Sequence, residues 1–388
     1  MELLSFLILI SAGLFFSKIF RRLNLPYVVA LIVAGIIIGP YGIGIFQADA
    51  TIDFLGSIGL VFLMFMAGLE VKFSTFEKLE SKITRISLLN AMLPFAVGYL
   101  IASYFGYGYM SSMMIGIIFI SSSIAVIIPS LESNKLLNLQ LGKSIVGATI
   151  LEDVFSLILL SLVLQTINPI TGLPLPVFYT LLFTSLVGLR YIIPRIRRAF
   201  FSRKRKEQYV FEQELVFIFV VLIGTVVFFE LLGMHAIIAG FFTGLVLSGS
   251  IRSKILKQKL HAISYGIFIP AFFVIIGSET DITVFSRVGP ELVITSAIVL
   301  GSIFSKSISG WVGAKISGFN NTESAIVGVS TIPQLSTTLA VAYMGIELNI
   351  LEPSLIVPLV VLSIVTTVIS PLILSQLVHF MRVSKADS

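Results

Sequence analysis

Residues 147–167 read GATILEDVFSLILLSLVLQTI, and the only charges in this stretch are Glu152 and Asp153, side by side within it. About 20 consecutive apolar residues are what a helix needs to cross the hydrocarbon core of a bilayer. A helix on the surface of a soluble protein would instead place polar residues along one whole face. Lys143 marks the start of the run, so the two acids fall at mid-membrane depth. An ionised group there costs about 2.5–3.5 kcal/mol on insertion scales, so two adjacent acids are expected to have a use.

Apolar runs of similar length recur along the 388 residues. Hydrophobic residues make up 56% of the chain and charged residues 12%, about half the share usual in soluble proteins. The fold class expected is an all-α integral membrane protein of about thirteen transmembrane helices. The spans are read near 3–20, 26–46, 53–71, 84–105, 110–131, 141–166, 174–194, 213–231, 234–250, 261–279, 289–313, 322–344 and 353–381. The joins are short and the sequence stops soon after the last span, so one membrane transporter domain over 1–388 is expected, with no soluble regulatory domain.

Charge sets the orientation. The first run has Glu2 where a signal peptide would carry a basic leader, and Lys18, Arg21 and Arg22 follow it. Positive charge favours the cytoplasm, which puts the N-terminus outside and the C-terminus in the cytoplasm of a plasma-membrane protein. Carried through the spans, this choice leaves two of the 26 Lys and Arg residues off the cytoplasmic side: Arg287 outside and Lys306 within a span. The basic run 195–206, RIRRAFFSRKRK, then reads as an inside anchor against anionic lipid headgroups rather than as a nucleic-acid site. With no cysteine, disulfides and thiolate metal sites are excluded.

The spans divide into a first repeat over 3–166, a linker helix at 174–194 and a second repeat over 213–381. Corresponding helices would enter from opposite faces, which makes two inverted six-helix repeats. In the fifth span of each half the apolar run is interrupted: Ser121, Ser122 and Ser123 followed by Pro129 in one, and Thr331-Ile332-Pro333-Gln334-Leu335-Ser336-Thr337 in the other. Unwound backbone at membrane depth is tolerated only beside protein or a watery cavity. Two crossed broken helices are therefore expected, with Pro129, Pro333, Gln334 and Thr337 as broken-helix positions beside an ion site.

Neighbouring helix positions differ by about 100° in direction, so Glu152 and Asp153 cannot point into one cavity alike. Lys306, in the eleventh span, needs a partner, and an acid of this pair supplies it. The three ionised groups sum to one negative charge. One proton or one monovalent cation neutralises it, and competition between the two is enough for exchange. Oxygen ligands from Asp153, Ser122, Ser123 and exposed carbonyls suit a hard cation such as Na⁺ or Li⁺ without excluding K⁺.

Further stretches add a resemblance. Leu23-Asn24-Leu25-Pro26-Tyr27-Val28-Val29 through Ala34 to Pro40, Gly59 through Glu70, Ala239 through Leu245 and Pro270 through Gly277 are, in this order, similar to the cation:proton antiporter superfamily, in the branch with Kef-type and NapA-type transporters. The resemblance implies Asp153 as the essential cation and proton site, Glu152 paired with Lys306, polar support from Ser122 and Ser123, no cofactor, and a homodimer with a mobile core. This chain departs from the pattern twice: its first acid is Glu, and Gln334-Leu335-Ser336 stands where many relatives have Arg-Gly-Glu.

His235, His261 and His379 fall at span ends and read as interfacial, and Glu70 and Lys72 as markers of the interface. Glu230, Glu279, Asp281 and Glu347 fall on the outer side. The reading is Na⁺ or Li⁺ exchange for H⁺, not enzyme chemistry. Its rivals are a K⁺/H⁺ antiporter, a cation channel, which needs a continuous polar-lined pore, and a sodium-coupled organic anion symporter.

Overall fold

A computed structural model of the chain describes residues 2–22, 26–71, 81–167, 174–201, 207–249, 251, 253–286 and 289–386. Among them there is no strand. Lys72, Arg287, residues 202–206 of the basic run and residues 23–25 of the second-span motif lie outside the described residues.

The first half consists of α1 (Glu2–Arg22), α2 (Tyr27–Ile38), α3 (Ala50–Glu70), α4 (Ser81–Tyr104), α5 (Tyr109–Ile120), α6 (Ile124–Ser133) and α7 (Gln140–Ile167). It is followed by α8 (Leu175–Phe200), α9 (Glu207–Leu231), α10 (Ala236–Ser248), α11 (Lys254–Ile263) and α12 (Ile269–Glu279). The last four are α13 (Pro290–Ile316), α14 (Asn321–Ser330), α15 (Ser336–Glu347) and α16 (Ile356–Ala386). Helices dominate because an apolar solvent offers backbone groups no partners, and a helix satisfies them within itself.

Among the described residues, ten helical segments are long and apolar enough to cross a membrane. The other expected spans fall on the shorter apolar helices α2 and α10 and on the interrupted pair α14–α15. Side chains mark some of the starts. Asp49 caps α3 by accepting from the backbone N–H groups of Thr51 and Ile52 at 3.1 and 3.0 Å. Asn320 and Glu323 form a reciprocal capping box at the start of α14.

Helix contacts fall into two groups. In one, α3 packs on α10 and α12, α2 on α12 and α1, and α9 on α10. In the other, α13 packs on α4, α14 and α16, while α4 also contacts α5 and α7. Glycine lets the first group close up. A Cβ on Gly68 would lie 2.9 Å from the Leu245 nitrogen, and one on Gly35 would lie 2.9 Å from the Gly277 Cα. Such small-residue contacts let membrane helices approach backbone to backbone. By contrast α8 buries only Phe178 and Ile193 within the chain.

The two interruptions are real, with one correction. The helix stops at Ile120 and resumes at Ile124, so Ser121, Ser122 and Ser123 are the unwound residues. Pro129 lies inside α6, well past the break. A serine run, not the proline, opens this helix. In the second half the gap between α14 and α15 holds Pro333 and Gln334, while Thr337 sits in the first turn of α15.

Candidate ion-binding site

The unwound residues bring the two halves together. The backbone N–H of Ser123 donates to the Pro333 carbonyl at 2.6 Å. Ser122 Oγ lies 2.8 Å from the Thr331 carbonyl, which it can donate to, and the Ser121 and Thr338 hydroxyls are 3.1 Å apart. Gln334 Nε2 donates to the Phe119 carbonyl at 3.1 Å, and its backbone N–H donates to Thr366 Oγ1. Backbone groups released by the breaks are thus taken up by the opposite break or, for Gln334, by Thr366 of α16, as an apolar surrounding requires.

Against this junction packs the middle of α7. Glu152 and Lys306 are both fully buried, with Lys306 Nζ 2.9 Å from Glu152 Oε2. The ammonium also donates to Ser122 Oγ at 3.0 Å, to the Ile120 carbonyl and, more weakly, to the Asn90 carbonyl at 3.4 Å. Ile120 is the last residue of α5, so the cation sits at the negative end of a helix dipole, where positive charge is favoured. Asn90 completes the cage: its Nδ2 donates to Glu152 Oε1 at 2.8 Å, and its Oδ1 accepts from Ser309 Oγ at 2.5 Å. A charge taken out of water survives where it is both paired and hydrogen-bonded.

Asp153 points elsewhere. It is 3% exposed, and its Oδ1 has no hydrogen-bond partner among the described residues. Thr337, in the first turn of α15, is a polar neighbour of its carboxylate. Two further oxygens, Ser123 Oγ and Gln334 Oε1, are buried and likewise without a partner. An unsatisfied buried acceptor costs about 1–3 kcal/mol, more when charged.

The expected residues therefore separate into two sets. Glu152, Lys306 and Ser122 form one closed hydrogen-bonded cluster, and Ser122 serves the ion pair rather than standing beside Asp153 as a free ligand. Asp153 keeps an open oxygen. Gln334, where a charged residue was missing from the pattern, supplies a neutral bridge to α5. Sequence reasoning passed over Asn90 and Ser309, polar residues in spans with no interrupted pattern around them. An asparagine within an apolar run (Leu88-Leu89-Asn90-Ala91-Met92) was the available signal.

A cavity of about 1000 Å³ opens from one side, bounded by the start of α2, α6, the end of α3, residues around Tyr265 and the middle of α16 at Pro371 and Ser375. It reaches Ile124 and Ala125 after the first break and Leu335 in the second. On the other side, among the described residues, a pocket of about 60 Å³ lies between α7, α10 and Leu348, and Gln165 Nε2 donates across it to the Gly233 carbonyl at 2.6 Å.

Comparison with known proteins gives a consistent result. A family model described as "Sodium/hydrogen exchanger, transmembrane" matches residues 6–379. A probable Na⁺/H⁺ antiporter 3 of Methanocaldococcus jannaschii is 32% identical over 379 residues, covering 96% of this chain and 95% of the relative. A Na⁺/H⁺ antiporter of Enterococcus hirae is 29% identical over 366 residues, covering 92% and 93%. The solved structure of the sodium proton antiporter MjNhaP1 from Methanocaldococcus jannaschii superposes with a TM-score of 0.70 at 16% identity, covering 95% of this chain and 96% of that one, which is a likeness of fold.

Proposed function

This chain belongs to the sodium/hydrogen exchanger family, and we propose that it exchanges Na⁺ or Li⁺ for H⁺ across the membrane, with both ions competing for Asp153. The observation that carries this reading is the buried, open carboxylate oxygen of Asp153 beside a Glu152–Lys306 pair that is already neutral. The pair cancels its own charge, so the cluster keeps one negative charge at Asp153. A proton or a monovalent cation neutralises it, and one excludes the other.

Exchange follows if the site crosses between the two sides only when neutral. Ions load from the large cavity, whose end reaches both breaks, while on the opposite side a Gln165–Gly233 hydrogen bond spans a much smaller pocket. On the positive-inside reading the cavity faces the cytoplasm, the N-terminus lies outside and the membrane is the plasma membrane. Opening the other side requires the helix group that contains α7 and α13 to move against the group that contains α3 and α10. Thr337, Ser123 and backbone carbonyls near the breaks are the oxygen ligands proposed to complete the cation's shell, a donor set suited to a hard monovalent ion.

The inverted pairing of residues 3–166 with 213–381 about the linker helix belongs to the same proposal, as does a homodimer. The face that α8 leaves uncovered within the chain suits a second copy or lipid, and Arg195 and Arg198 at its end suit anionic headgroups. Transport through this carboxylate, rather than enzyme chemistry, is the activity proposed.

The test is an exchange assay in everted vesicles carrying an acid-inside gradient. Adding Na⁺ or Li⁺ is expected to collapse the gradient, and Asp153→Asn to abolish the response. K⁺ tested in parallel fixes ion preference, and clamping the membrane potential fixes the charge moved per cycle. Normal exchange by Asp153→Asn would falsify the assignment.

A further inference from the structure

Gln165 is an amide among apolar residues in the last turns of α7 (Leu162-Val163-Leu164-Gln165), twelve residues from Asp153. That is about 18 Å along the same helix. Gln165 is buried, and its Nε2 makes the 2.6 Å bond to the Gly233 carbonyl that spans the small pocket. Gly233 sits between α9 and α10 at a φ of +92°, a backbone conformation that favours glycine. The turn is held by α9: the Gly233 N–H donates to the Glu230 carbonyl at 2.9 Å, and the Met234 N–H to the Phe229 carbonyl at 2.8 Å. One turn back along α7, the Ser161 and Tyr179 hydroxyls lie 3.2 Å apart, and Tyr179 belongs to α8, which packs on α9 and α10. Deeper in the span α7 bonds to its own helix group. Ser156 Oγ donates to the Ile117 carbonyl of α5 at 3.1 Å, and Glu152 is tied to Asn90 of α4 and Lys306 of α13.

These two bonds run from the helix that carries Asp153 to the helix group it must move against, on the side away from the large cavity. We infer that Gln165 is the latch of the closed side: its amide holds the site facing the cavity, and each transport cycle breaks and remakes this bond. The role rests on alternating access at Asp153 and fixes which contact decides the side the site faces. A side-chain amide suits it. When this side opens, water takes the place of each partner, so little is lost and the change is reversible. A hydrogen bond exchanged for water in this way weights the closed state by about 2- to 12-fold. Apolar packing around the bond is incomplete, with a pocket of about 60 Å³ beside Leu164, Met234, Ile238 and Leu348. Closure here therefore leans on the polar contact.

The chain has no cysteine, so single cysteines can report each side separately. Ile238 is buried beside the pocket, and Ala125 is exposed in the large cavity. Ile238→Cys and Ala125→Cys are made in separate chains and labelled in proteoliposomes with a membrane-impermeant maleimide supplied to each face. Into each goes Gln165→Met, which keeps the bulk but removes the donor, or Gln165→Asn, which keeps the amide but is one methylene shorter. Both are expected to speed labelling at Ile238→Cys by about 2- to 12-fold, the weight of the lost bond, without speeding it at Ala125→Cys. Labelling that matches the parent at both positions overturns the latch. So does a rise at both positions, which is a general loosening of the fold. Exchange by Asp153→Asn measured alongside keeps the two claims apart. Normal exchange there unseats the assigned ion site, whereas a dead Asp153→Asn with unmoved labelling removes the latch alone.

Discussion

The backbone N–H of Ser123 donates to the carbonyl of Pro333 at 2.6 Å, so the unwound strand of one helix closes the unwound strand of the other. The residues lie in different halves of the chain, yet each break alone would leave polar backbone stranded in an apolar medium. The serine hydroxyls and the Gln334 amide extend the same bridge to Thr331, Thr338 and Phe119. The two breaks therefore behave as one unit. If they move, they move together and take with them the unpartnered oxygens of Ser123 and Gln334.

Substituting Asp153 is expected to separate stability from transport. Its Oδ1 has no partner, so Asp153→Asn removes a costly buried charge and no ion pair. Sodium-driven proton movement should fall to background while the thermal transition in detergent stays at or above that of the parent. A large drop in the transition temperature would mean that Asp153 has a structural partner after all.

Lys306 should behave in the opposite way. Removing one member of a buried ion pair leaves the other uncompensated, at a cost of about 3–5 kcal/mol. Lys306→Ala strips Glu152 of its countercharge and should unfold at markedly lower temperature than the parent. Combining Lys306→Met with Glu152→Gln removes both charges and should recover much of the loss. Equal instability in the single and double variants would show that the pair is not coupled as the 2.9 Å contact requires.

The membrane class, the two interruptions and the Glu152–Lys306 pairing were legible because each rests on a cost that hydrocarbon imposes on any sequence. A buried lysine must find an acid, and a polar run at depth must find backbone partners. What sequence did not reveal is direction. Ser122 and Ser123 are adjacent and alike, yet one joins the ion pair and the other keeps a free hydroxyl, a difference set by which neighbours the unwound turn meets. Pro129 misled because an interior proline removes one backbone donor and bends a helix without having to unwind it, and here α6 continues through it from Ile124 to Ser133. Asn90 was silent because an isolated polar residue in a span has no pattern.

Glycine substitutions should divide sharply by position. A Cβ on Gly68 would press on the Leu245 nitrogen at 2.9 Å, and one on Gly244 would press on the Leu69 nitrogen at 2.9 Å. Backbone atoms cannot step aside as side-chain ends can, and overpacking of this kind costs about 1–3 kcal/mol. Gly68→Ala and Gly244→Ala should therefore lower the transition temperature and the yield of folded protein. Gly188→Ala and Gly224→Ala, where a Cβ meets nothing within 4 Å, should be neutral or slightly stabilising. Similar behaviour across all four variants would remove close approach of α3 and α10 as the cause.

The dependence of transport on pH follows from one carboxylate serving two ions. If a proton and Na⁺ exclude each other at Asp153, acidification leaves the rate at saturating Na⁺ intact so long as proton release is not limiting, but demands more Na⁺ to reach it. Below the pH at which the free site is half protonated, the apparent KM for Na⁺ should rise by about tenfold for each unit of acidification, the slope of a single competing proton. Above that pH the KM should become flat. The sign is fixed: lower pH weakens apparent Na⁺ binding because the protonated site must first release its proton. Initial rates across a Na⁺ series at several pH values, with pH equal on both sides of the vesicle and exchange followed by ²²Na⁺ uptake against internal Na⁺, read this directly. A KM that ignores pH while the maximal rate falls would place the titrating group outside the cation site, and protons and cations would then need separate carboxylates.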